Sequence, residues 1–169
     1  MVYEPREDSL LLEQAVKRYA RGRVLDIGTG NGIQARAAIA LGLEALACDI
    51  DTGAVAAAKA AGINAIQSDL FENIDGKFDT IIFNPPYLPD EEPRVLALDG
   101  GPTGRELLDR FLAEAKHYLT PGGQILFVQS SITGTDKTKS VLGELGYEYE
   151  TVSSTSILTE ELVVFRAWP

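Results

Sequence analysis

Arg23-Val24-Leu25-Asp26-Ile27-Gly28-Thr29-Gly30-Asn31-Gly32 is the stretch that decides the fold class. A run of strand length carries an acid, three alternating glycines follow, and an alanine-rich helical segment continues to about Gly42. A strand, a glycine turn and a helix N-terminus present free N–H groups and a backbone that a ligand can approach closely. The pattern G-x-G-x-x-G would put its third glycine at Ile33, so the dinucleotide fingerprint fails here. An acid ahead of the glycines would also repel a pyrophosphate. It suits a ligand that carries an ammonium or sulfonium at that point.

Outward from this loop, strand-like and helix-like segments alternate. Asp8 and Ser9 are expected to cap a helix over residues 8–20 that packs on the core through Leu10-Leu11-Leu12, Ala15, Val16 and Tyr19. Glu44 to Asp49 reads as a second strand, and a second alanine-rich helix runs from Thr52 to Gly62. Ile63 to Gln67 and Phe78 to Phe83 read as the third and fourth strands. Residues 84–103 hold five of the eight prolines and exceed usual loop lengths, which marks a functional loop. A helix from about Gly104 to Leu119 and a fifth strand at Gln124 to Gln129 follow. A helix near 136–145 then leads to a closing hairpin of Tyr147-Val152 and Leu162-Trp168. The alternation predicts an α/β fold, with a mostly parallel sheet and helices on both faces, as one domain over residues 1–169.

Composition narrows the function classes. One cysteine, Cys48, excludes an internal disulfide framework and a cysteine-based zinc site, and one histidine, His117, weakens any Ser-His-Asp scheme. No metal site is expected. No apolar run approaches the ~18–20 residues of a membrane helix. The opening residues also lack the features of a secretory signal, so a cytoplasmic protein is expected. With 15 basic against 25 acidic residues the net charge is −10, which repels a phosphate backbone. Lys17, Arg18, Arg21 and Arg23 form the one dense basic run, read as the solvated end of a helix.

Three acids stand at successive strand ends: Asp26, Asp49 and Asp69. Asp49 is placed to accept both hydroxyls of a ribose, and Asp69-Leu70 to take an exocyclic amine and cover a purine face. Taken singly, Asp26 could cap the turn, Asp49 could cap the following helix, and Asp69 could be a loop acid. Together they describe a ligand with a cation, a ribose and a purine, as S-adenosylmethionine has.

Asn84-Pro85-Pro86-Tyr87 follows the fourth strand at the same sheet edge. Proline lacks an N–H and has a fixed φ, so this turn presents rigid carbonyl acceptors, and the Asn84 side-chain oxygen adds one more. Convergent acceptors suit a planar nitrogen carrying two hydrogens, either a carboxamide or an exocyclic base amine. Tyr87 would pack on its flat face. Asp90, Glu91 and Glu92 are candidates to receive a proton.

Asp26-Ile27-Gly28-Thr29-Gly30-Asn31-Gly32 followed by Asn84-Pro85-Pro86-Tyr87 resembles the class I S-adenosylmethionine-dependent methyltransferases. Tyr3-Glu4-Pro5-Arg6-Glu7-Asp8-Ser9 and Asp99-Gly100-Gly101-Pro102-Thr103-Gly104-Arg105-Glu106 narrow the resemblance to the archaeal and eukaryotic branch of the HemK-type release-factor glutamine methyltransferases. The resemblance implies a Rossmann-like, seven-stranded sheet with an antiparallel last strand. It implies N5-methylation of the glutamine in the Gly-Gly-Gln tip of a translation release factor. Ser9, Asp26, Gly28, Gly30, Asp49, Asp69, Leu70 and Asn84 would hold the cofactor, while Asn84, Pro85, Pro86 and Tyr87 would hold and activate the substrate amide. It also implies a small zinc-binding activator pairing near Ile63-Gln67. Two rival expectations are N-methylation of adenine in nucleic acid, which the acidic charge opposes, and a non-catalytic nucleoside-binding subunit.

Overall fold

In the computed structural model, residues 6–86 and 104–169 are described. The element order is α1 (Glu7–Tyr19), β1 (Val24–Ile27), α2 (Ile33–Ala40), β2 (Ala45–Asp49), α3 (Thr52–Ala60), β3 (Asn64–Gln67) and β4 (Phe78–Phe83). Then come α4 (Glu106–Ala115), a 3-10 turn (Lys116–Tyr118), β5 (Leu119–Ser130), a second 3-10 turn (Ser131–Thr133), α5 (Thr135–Glu144), β6 (Glu148–Ile157) and β7 (Glu160–Trp168). One seven-stranded sheet has the order β3-β2-β1-β4-β5-β7-β6. Strands β1 to β5 pair in parallel, and β7 runs antiparallel to both of its neighbours, as expected.

Every residue of β1 is buried, because its side chains meet helices on both faces, and such strands read as continuous apolar runs. Alternation along the strands divides the core. Val24 and Ile82 join Leu12, Val16, Ala37 and Ala38 beneath α1 and α2. Leu25, Ile81 and Phe83 point the other way, into a cluster with Phe71, Phe111, Phe127 and Phe165 against α4. Phe83, the residue before Asn84, packs on Phe111 with ring centroids 4.5 Å apart and planes tilted by 41°, which fixes the end of β4.

Several boundaries differ from those predicted. Asp8 and Ser9 do not cap α1. The helix starts at Glu7 with Arg6 as its N-cap, and the two residues are buried within its first turn. Strand β5 starts at Leu119, five residues before the predicted Gln124, with Pro121-Gly122-Gly123 inside it. Phe78 pairs with Leu119, and the register shifts before Thr80 meets Gln124, so the Pro-Gly-Gly stretch is an irregularity within the strand. The helix predicted over 104–119 is α4 with a separate 3-10 turn at its end. The closing hairpin is longer than predicted: Ile157 pairs with Glu160, leaving Leu158-Thr159 as a two-residue loop. The basic run sits at the end of the sheet away from the glycine loop, where Lys17 pairs with Glu13 at 2.8 Å and Arg23 with Glu44 at 3.3 Å. Among the described residues no helix is long and apolar enough to cross a membrane.

Candidate active site

The parallel register lines up the candidate residues. Ile27 is level with Cys48 on one side and Phe83 on the other. The next residues, Gly28, Asp49 and Asn84, therefore form one row across the C-terminal ends of β1, β2 and β4. Asp49 is itself level with Gln67 of β3, so Asp69 and Leu70 lie just beyond the same edge. Open α/β sheets bind ligands at this edge.

Gly28, Gly30 and Gly32 adopt φ values of 65°, 52° and 80°, in the left-handed region that only glycine enters without strain. The loop that results is held by acids. Asp26 is 1 % exposed, and its Oδ2 accepts hydrogen bonds from Thr29 Oγ1 at 2.8 Å and from the N–H of Ala35 at 3.1 Å. This is the turn-capping role foreseen for Asp26 as the alternative to ligand contact. Asp49 Oδ2 accepts from the N–H of Gly30 at 2.9 Å, and its Oδ1 from the N–H of Asp51 at 2.9 Å. The helix cap itself is Asp51, whose side chain accepts from the N–H of Gly53 at 2.8 Å, which leaves Asp49 at the sheet edge, half-buried.

Electrostatics set the charge this site accepts. Burial pushes the Asp26 carboxyl up to about 7; hydrogen bonds from Thr29 and Ala35 oppose that rise, and the Asp49 charge adds to it. Burial also pushes the Cys48 thiol up to about 12, with Asp26 and Asp49 adding to the effect, so it is no nucleophile at neutral pH. A buried Asp26 carboxyl beside the Asp49 charge favours a cation and disfavours a phosphate. A ligand with a sulfonium, an ammonium and a ribose fits this donor set.

Asp69 lies 3.4 Å from Arg110 of α4 as a half-exposed pair, and Leu70 is buried at φ 49°. A leucine in the left-handed region is uncommon and clusters at functional sites. Ser68 Oγ donates to the Leu70 carbonyl at 2.8 Å, which holds this turn at the edge of the row. Ile50, beside Asp49, is 49 % exposed and adds an apolar surface that sequence reasoning missed.

Asn84 is half-buried, Pro85 buried and Pro86 half-buried. The Asn84 Nδ2 donates to Ser9 Oγ at 3.2 Å, so the amide nitrogen faces α1 and the side-chain oxygen lies on the opposite side of the amide. Ser9 is 1 % exposed. Sequence reasoning also missed Gln34, whose Nε2 donates to the Ser9 carbonyl at 2.9 Å. Its signal was a glutamine on the buried side of an otherwise alanine-rich helix. Tyr87, Asp90, Glu91, Glu92 and the segment Asp99–Thr103 lie outside the described residues, as do Tyr3, Glu4 and Pro5. Among the described residues no group of three or more His, Cys, Asp or Glu side chains could hold a metal ion.

Comparison with known proteins agrees with this fold. The sequence profile of the methyltransferase small domain matches residues 7–156. A Methanocaldococcus jannaschii protein, provisionally named a protein N5-glutamine methyltransferase, is 42 % identical over 99 % of this chain and 91 % of its own length. The mouse methyltransferase HEMK2 is 30 % identical over 98 % of this chain and 88 % of its own length. The structure of the E. cuniculi Mtq2–Trm112 complex, described as responsible for methylating the translation termination factor eRF1, superposes with a TM-score of 0.83. That match is 26 % identical and covers 98 % of this chain and 97 % of the other. The chain belongs to the S-adenosylmethionine-dependent methyltransferases of the methyltransferase small domain family, in the HemK-type branch of glutamine methyltransferases.

Proposed function

We propose that this chain, as one methyltransferase domain, methylates the side-chain amide nitrogen of a glutamine, that of the Gly-Gly-Gln tip of a translation release factor. The observation that carries the reading is the row of Gly28, Asp49 and Asn84, with the Asn84 amide turned by Ser9 so that its oxygen is the acceptor. The name of the Methanocaldococcus jannaschii relative supports a glutamine acceptor, and the description of the Mtq2–Trm112 complex supports a translation termination factor as the substrate.

S-adenosylmethionine, when bound, supplies an electrophilic methyl group on a sulfonium sulfur. The chain's own residues do the rest by positioning. The Gly28–Gly32 loop admits the ligand, Asp49 accepts the ribose hydroxyls, and Asp69 with Leu70 receives the purine. Asp26 holds the loop and provides negative potential beneath the sulfonium and ammonium, and Ser9 lies beside the same ligand. The Asn84 side-chain oxygen and the carbonyls of the Pro85-Pro86 turn accept the two N–H bonds of the substrate amide. That raises electron density on the nitrogen and aims its lone pair at the methyl carbon, and the proton that the methylated nitrogen sheds is assigned to the acidic candidates Asp90, Glu91 and Glu92. Tyr87, outside the described residues, is assigned to the flat face of the amide. Alignment of this kind contributes on the order of several kcal/mol to rate acceleration.

The reading includes a small zinc-binding activator paired with β3 near Ile63-Gln67, in the cytoplasm. Support comes from the position of β3 at the sheet edge, with Asn64 and Gln67 exposed, and from the two-protein assembly of Mtq2 with Trm112. The test is transfer of a labelled methyl group to purified release factor, with and without such an activator, beside RNA and DNA as competing acceptors. Label in the release factor is the expected result. Label in nucleic acid, or in nothing despite bound cofactor, contradicts it.

A further inference from the structure

We propose that Gln34 is a positioning residue for the reaction at Asn84, acting through Ser9; the proposal rests on the role of Asn84 given above. Gln34 stands in the first turn of α2, immediately after the glycine loop, and is 3 % exposed. Its Nε2 donates to the Ser9 carbonyl at 2.9 Å, and the hydroxyl of the same serine accepts from Asn84 Nδ2 at 3.2 Å. The next residue of α2, Ala35, donates its N–H to Asp26 at 3.1 Å. One run of hydrogen bonds therefore joins the acid of the glycine loop to the amide at the end of β4, through α2 and the first turn of α1.

Stability alone does not account for this glutamine. Its Oε1 is buried with no partner among the described residues. A buried acceptor left unmade costs more than its neighbouring hydrogen bond returns. The Ser9 carbonyl stands in the first turn of α1 and can be satisfied within that helix, so it does not need Gln34. An apolar side chain of the same length would remove the orphan and keep the packing. What it would lose is the tie that sets the first turn of α1, and with it the Ser9 hydroxyl, against the element that begins at the glycine loop. Without that tie the Asn84 amide loses a fixed orientation, and its nitrogen competes with its oxygen for the substrate side.

Gln34→Met separates positioning from structure, because the two roles predict opposite signs. The variant is expected to unfold at the same temperature as wild type or higher, to bind cofactor within about threefold, and to show kcat for methyl transfer lowered about tenfold with little change in the KM for release factor. The Asn84 side-chain amide resonances, followed by NMR in the cofactor-bound chain, are expected to shift and broaden. Adding Gln34→Met to Ser9→Ala is expected to lower kcat no further than Ser9→Ala alone, since both act on one path. A less stable Gln34→Met chain, an unchanged kcat with an unmoved Asn84 resonance, or additive losses in the double variant would each overturn the proposal. If wild type methylates no release factor, the substrate reading fails, and the Asn84 resonance still decides the role of Gln34.

Discussion

Asp49 holds the N–H of Gly30 at 2.9 Å, so the acid at the end of β2 closes the glycine loop at the end of β1. The same carboxylate is half-buried in the row that carries Gly28 and Asn84. Loop closure is the role its hydrogen bond shows, and acceptance of the ribose is the role proposed for it. Asp49→Ala is expected to weaken cofactor binding about tenfold to a hundredfold, because hydrogen bonds to a charged group are worth about 1.5–3 kcal/mol. Calorimetric titration checks this, and binding within about twofold of wild type would contradict it.

Asn84→Ala removes the amide proposed to accept the substrate N–H and leaves the loop acids in place. Cofactor affinity is expected to fall by no more than a few-fold. Methyl transfer is expected to drop below detection in a discontinuous label assay. Retained turnover in this variant would remove Asn84 from the mechanism.

The Asp26 carboxyl has a pH signature. Its folded value lies at about 7, against ~3.9 in an unfolded chain. Between those values the folded chain keeps a proton that the unfolded chain has lost, so this group's contribution to stability falls as pH rises through the window, and the loss is complete above it. Asp26→Asn removes that dependence. In the ligand-free chain, the melting temperature of the variant minus that of wild type is expected to rise between about pH 4 and about pH 8. Thermal unfolding across this range checks it, and a difference constant with pH would contradict it.

Gly32 caps α2 at φ 80°, and a Cβ there would meet Ile63 Cδ1 at 2.8 Å. Gly32→Ala is expected to cost about 1–2 kcal/mol of stability from the left-handed backbone, with further loss as Ile63 shifts. Denaturant titration measures the loss, and an unchanged midpoint would argue against this loop geometry.

Leu158 occupies the first position of the β6–β7 turn at φ 54° and is fully exposed. Two-residue hairpin turns favour asparagine or glycine at such a position. Leu158→Asn is expected to stabilise the chain by about 0.5–1 kcal/mol and leave methyl transfer unchanged. A lower melting temperature would count against the turn as described.

The strands that position the site were legible because they are buried on both faces and read as apolar runs, as in Val24–Ile27 and Phe78–Phe83. The acids at their ends were legible for the same reason, since the strand ends mark the ligand edge. Less local features were not. Strand β6 lies at the edge with little to bury, and its Thr-Val-Ser-Ser-Thr-Ser run carries no strong period. The start of β5 was hidden by Pro121-Gly122-Gly123, where pairing of Leu119 with Phe78 outweighs the turn chemistry. Asp49 and Asp51 compete for the cap of α3, and only the backbone path decides for Asp51. The contacts of Ser9 with Asn84 and Gln34 join residues 75 and 25 positions apart in the chain. Local pattern carries no trace of them.

The proposed reaction rests on Asn84 and its proline turn directing a methyl group onto a glutamine amide. Its most direct test is mass spectrometry of release factor incubated with this chain and S-adenosylmethionine, followed by fragmentation to locate the added group. One methyl group is expected on the side-chain nitrogen of the Gly-Gly-Gln glutamine, lost when Asn84→Ala replaces wild type. A methyl group on any other residue, or on this glutamine at equal rate with the Asn84 variant, would contradict it.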